Sequence, residues 1–157
     1  ALAVPGAAAP VRAQAQQLLG RLPGPAHEDL LVVLDEEPRQ HWPGVVREEV
    51  LRLGDVPARE RLAGMTGFVD GLLRRPDSAY ELAQSLLHVL LELPPAPYED
   101  MVTAVVLATA GRPGPETGRV QAVVRSAMAR FPVPQWQRLA ATFDAAATRA
   151  GSPAGWT

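Results

Sequence analysis

Cysteine, lysine, asparagine and isoleucine do not occur in this chain of 157 residues. Without lysine there is no Schiff-base amine and no P-loop cation. Without cysteine there is no thiolate nucleophile, no thiolate metal ligand and no disulfide. Lys, Asn and Ile have AT-rich codons, so their joint absence points to a very GC-rich bacterial genome, such as an actinobacterium's, and reflects coding bias rather than mechanism. All 15 basic side chains are therefore arginine. Long apolar runs are missing too. The longest, residues 102–110 broken by Thr103 and Thr109, falls well short of the ~20 residues a membrane span needs. These features fit a cytoplasmic protein with no membrane partner.

Net charge is −2, unlike the basic balance of a general nucleic-acid binder. Its distribution is uneven: residues 27–100 carry 15 acids against 7 arginines, and residues 101–157 carry 6 arginines against 2 acids. Such a split suits a protein-partner surface or head-to-tail self-association. Residues 45–75 have the outline of a helix-turn-helix. Glu48, Glu49, Glu60 and Asp70 interleave with its arginines, however, and a DNA-reading helix must present basic or amide side chains.

Proline is abundant and patterned. Pro10, Pro25, Pro43, Pro57, Pro76, Pro97, Pro115 and Pro134 each precede a stretch with apolar residues at helical spacing. Proline suits a first helical turn, where its missing N–H would have no partner. The spacing predicts an all-α fold of about eight short antiparallel helices, at 10–22, 25–37, 43–53, 57–74, 78–93, 97–110, 115–131 and 134–150. Connections of two to six residues imply that successive helices are neighbours. Two helices span about 37 residues, near the period of a HEAT-like α-α array. No side-chain signature repeats at that period, so a compact multi-helix bundle is the alternative. Residues 10–151 read as one domain. Residues 1–9 read as a linker remnant of a longer parent, without the basic start of a signal peptide. Residues 152–157 read as a loose tail, from which Trp156 could pack back.

Local signals refine these helices. Asp55 is a candidate N-cap, Ser78 and Glu81 have capping-box spacing, and Gly54, Gly111 and Gly151 stand where helices should stop. Gly64, Gly67 and Gly71 share one face of the fourth helix, which suits close packing against a neighbour.

Few residues suggest chemistry. Residues 30–36, Leu-Leu-Val-Val-Leu-Asp-Glu, have the form of a Walker B strand, but no lysine exists to complete a phosphate loop. They read as an amphipathic helix ending in acids. His27 and His41 sit in a first helical turn and a loop. His88 lies on a narrow polar stripe with Glu81 and Glu92, one or two turns away. A histidine beside a carboxylate can act as a base or ligand, although a metal needs three or four such groups. No catalytic residue, metal site or cofactor is expected. The sequence fits a non-enzymatic helical module that binds another protein as part of a larger regulatory or scaffold protein. Arg119, Arg125 and Arg130 are its candidate contacts, with Trp42, Tyr98, Trp136 and Trp156 as possible aromatic anchors. The alternatives are a small-molecule-binding sensory domain with a pocket between helices near the glycine face of the fourth helix and, behind it, a metal-dependent or hydrolytic enzyme centred on Glu81, His88 and Glu92.

Overall fold

The computed structural model describes residues 37–152 and 154–157, and every regular element among them is helical. A 3-10 turn, Arg39–His41, leads into α1 (Trp42–Gly54), α2 (Ala58–Arg74), α3 (Ala79–Glu92), α4 (Pro95–Ala110), α5 (Gly114–Met128) and α6 (Val133–Ala150). These match the third to eighth helices expected from proline spacing. The two helices expected before them, the linker at 1–9, the 30–36 segment and His27 lie outside the described residues, apart from Glu37 at the end of the second.

Proline starts the helices in two ways. Pro57, Pro94, Pro113 and Pro132 occupy N-caps with extended ψ, and Pro43, Pro95, Pro115 and Pro134 lie within the first turn. No side-chain cap hydrogen bond forms at α1 to α6. Proline removes a donor that would otherwise need one. The expected capping box is absent for a tertiary reason: the Ser78 hydroxyl accepts a hydrogen bond from Arg39 at 2.7 Å, and Glu81 pairs with Arg39 at 3.3 Å. Asp55 is the C-cap of α1, and Pro57, two residues on, caps α2. Of the glycines expected to stop helices, Gly151 alone takes the left-handed conformation, at φ 63°. Its N–H bonds to the Thr148 carbonyl and that of Ser152 to Ala147, the paired bonds of a Schellman ending.

The apolar stripes turn inward as periodicity predicts. Val46, Val50 and Leu53 of α1, Met65 and Val69 of α2, and Leu82, Leu86, Leu87 and Leu90 of α3 are buried. Met101, Val102 and Val106 of α4, Val120 and Val124 of α5, and Leu139 and Phe143 of α6 complete one core. Gly64, Gly67 and Gly71 are also buried. Leu107 and Trp136 are exposed.

Successive helices are not the closest neighbours. The most extensive packing joins each helix to the next but one, giving rows α1–α3–α5 and α2–α4–α6. A short turn fixes where the next helix begins, not which helix runs beside it.

Arg112 ties the rows together. Its guanidinium donates to the carbonyls of Ala108 on α4 and Thr66 on α2, and lies 2.6 Å from Asp70 and 3.6 Å from Glu116. Arg61 serves the end of α1, donating to the Leu53 and Val56 carbonyls. Tyr98 of α4 bonds the Thr142 hydroxyl at 2.9 Å on α6, beneath the guanidinium of Arg138. Burial raises the Tyr98 phenol above its ordinary range, opposed by that hydrogen bond and the nearby cation.

The C-terminal segment, read as loose, is held at several points. Trp156 does pack back, fully buried and stacked on Phe143 at 5.1 Å between ring centroids. Arg125 donates to the Gly155 carbonyl, and Thr157 donates to Asp144. Gly155 has φ 133°, and a Cβ there would lie 2.6 Å from the Gln121 side-chain oxygen.

Arg112→Ala should lower unfolding free energy by about 2–3 kcal/mol, the range for hydrogen bonds to charged groups, as read by urea denaturation. Trp156→Ala should cost about 3–5 kcal/mol in the same measurement, as for other buried aromatics. A cost below about 1 kcal/mol would mean that the tail contributes nothing to the core.

Candidate functional site

Two grooves and two buried carboxylates, Glu37 and Glu49, stand out among the described residues. A polar groove of about 270 Å³ lies between α1 and α3, with Pro43, Gly44 and Arg47 facing Ser85, His88 and Glu92. Its charges are internally matched: Arg47 and Glu92 form an ion pair across the groove. The His88 ring sits against Phe131, centroids 4.6 Å apart and planes inclined at 52°. Gln84, also on the groove wall, donates to the Tyr80 hydroxyl and the Ala127 carbonyl.

The structure therefore divides the polar trio read from the sequence. His88 and Glu92 share the groove, while Glu81 lies outside its lining and belongs to Arg39. Among the described residues, no group of three or more His, Asp or Glu side chains is arranged to hold a metal. His41 also has a local partner, its Nδ1 lying 3.1 Å from a carboxylate oxygen of buried Glu37.

The second groove, about 220 Å³, is apolar. Leu72 and Leu73 end α2, Pro76 and Ala79 follow, and Val120, Ala122 and Val123 of α5 form the opposite wall. Arg119 is the charged residue in its lining. Among the described residues it has no hydrogen-bond or ion-pair partner. Glu116, one turn earlier, is turned instead toward Arg112.

Arg119, Arg125 and Arg130, expected to contact a partner, are all exposed but do not form one surface. Arg119 and Arg125 stand about 120° apart around α5. Arg125 is engaged by the tail, and Arg130, beyond the helix, lies 6.0 Å from the Tyr80 ring centroid. Of the four aromatic anchors, Trp42, Tyr98 and Trp156 are core, and Trp136 is exposed.

Sequence reasoning missed Arg47 and Glu49. Arg47 meets Glu92 across 45 residues, and no local pattern reports such a pairing. Glu49 did carry a signal, since it lies three residues after Val46 and four before Leu53, within the apolar arc of α1. The side chain is buried. Oε1 accepts from Arg52, and Oε2 has no hydrogen-bond partner among the described residues. It faces Val50 and, across from them, Gly64, Met65 and Phe68 of α2 around a void of about 10 Å³. Desolvation raises its pKa above the usual carboxylate range, partly offset by Arg52.

Comparison with protein-family models, curated proteins and solved structures gave no match.

Because the folded state raises the Glu49 pKa, the native chain holds a proton that the unfolded chain has already released. Stability from this group is full below the unfolded Glu pKa and is lost as pH rises through the folded value. Thermal unfolding across that interval should therefore show a component falling with pH that Glu49→Gln flattens. An unchanged slope in the variant would assign the pH dependence elsewhere.

Proposed function

We propose that this chain is a non-enzymatic helical module that binds another protein. The observation that carries the reading is the apolar groove between the end of α2, the start of α3 and α5, with at its edge an arginine that has no acidic partner among the described residues. At about 220 Å³ it falls below the ~300–1,000 Å³ of most small-molecule pockets. That size suits an aliphatic anchor side chain from a partner. Interface energy concentrates in such anchors within desolvated pockets. Arg119 adds selection for an acidic neighbour and rejects a basic one. The two rows of next-but-one neighbours support a HEAT-like α-α array as the architecture, a form that commonly presents extended partner surfaces.

The sensory-domain alternative draws its support from the polar groove, where Arg47, His88 and Glu92 converge. Any ligand there must compete with an existing ion pair. A melting-temperature screen against small metabolites separates the readings. A rise lost in His88→Ala favours the sensory domain.

For the protein-binding reading, the immobilised chain should retain a specific protein from a native lysate at a fixed stoichiometry. Arg119→Glu should reduce capture at least ~10-fold, equivalent to about 1.4 kcal/mol. Arg130→Glu, which leaves the groove intact, should change it little. Equal capture by all variants would remove the groove from partner binding.

A further inference from the structure

A groove that takes an aliphatic side chain beside an acid has a counterpart on this same chain. Leu51 is a large apolar side chain left exposed on α1, at 41%. Asp55 lies one turn further on, exposed and, among the described residues, without a hydrogen-bond or ion-pair partner for its carboxylate. Glu48 lies one turn before Leu51. An apolar projection flanked by acids is thus matched in sign and shape to an apolar recess flanked by Arg119. We propose that a second copy of this chain occupies the groove, its Leu51 seated between Leu72 and Val123 and its Asp55 paired with Arg119. This proposal rests on the protein-binding reading and names the partner.

The two patches cannot satisfy each other within one molecule. Asp55 precedes the start of α2, and Leu72 lies near its end. Seventeen helical residues at about 1.5 Å each put roughly 25 Å between them. In the row α1–α3–α5, moreover, α3 stands between the helix bearing Leu51 and the helix bearing Arg119. The contact therefore joins unlike patches on different copies, head to tail. The uneven charge of the chain runs in the same sense, acidic over residues 27–100 and basic over residues 101–157. One anchor and one exposed ion pair make a weak contact, sensitive to salt.

Sedimentation velocity over a wide concentration range tests this. The wild-type mass should climb from the 16.8 kDa monomer through two-chain to longer species as concentration rises, because a head-to-tail contact leaves one free patch at each end, and fall back when salt is raised. Arg119→Glu and Asp55→Arg should each remain monomeric alone. Mixed in equal amounts they should associate again, because an intact Asp55 then meets an intact Arg119 and the two reversed charges are also opposite in sign. Both positions are exposed, so neither change should unfold the chain, and circular dichroism checks this. A wild type that stays monomeric at every concentration overturns self-association. So does an Arg119→Glu variant that associates like the wild type. If the chain is monomeric yet Arg119→Glu still loses capture of a lysate protein, self-association fails and the protein-binding reading stands. If Arg119→Glu changes neither measurement, both fail.

Discussion

The junction at Arg112 is the point on which the packing of the two rows turns. One guanidinium reaches carbonyl groups on α2 and α4 and carboxylates on α2 and α5. A planar fork of five donors can do this, whereas an ammonium group would have to choose among them. The need arises from the helices themselves. Each of the six has 13 to 18 residues, a length at which isolated helices are marginal in water and depend on neighbours. Each also leaves its last carbonyls without intrahelical partners. Arg61 at the end of α1 and Arg138 reaching the Leu91 carbonyl show the same solution on a smaller scale. In a chain without lysine, arginine holds one helix end to the next.

Periodicity made the elements legible and left their arrangement obscure. The apolar residues of α3 repeat at helical spacing, and its leucines are among the most buried side chains. A stripe specifies which face is covered, not by what, so it could not distinguish adjacent from next-but-one packing. Local cap signals failed where a distant group outcompeted them. Ser78 and Glu81 have the right spacing for mutual capping, but Arg39 lies within reach of both.

Candidate-site residues were less legible than the fold. The stripe bearing His88 and Glu92 could be read from α3 alone, but its charge balance could not, since Arg47 comes from another helix. Arg119, Arg125 and Arg130 looked alike in the sequence. What separates them is the company they keep: an apolar recess, a folded-back tail and a tyrosine ring. Sequence offers charge, and only tertiary structure decides whether that charge is already spoken for.

The next-but-one packing bears on how the chain acquires its structure. In a simple helical hairpin, a helix and its immediate successor can bury most of their apolar surface against each other. Here each helix must wait for a segment roughly 37 residues further along before its main neighbour exists. The smallest cooperative unit is then three consecutive helices, with the middle one bridging the rows. Because loop closure over that span precedes most of the stabilising contact, folding should be slower than helical content alone implies. Among the described helices, those with one row neighbour instead of two should open first.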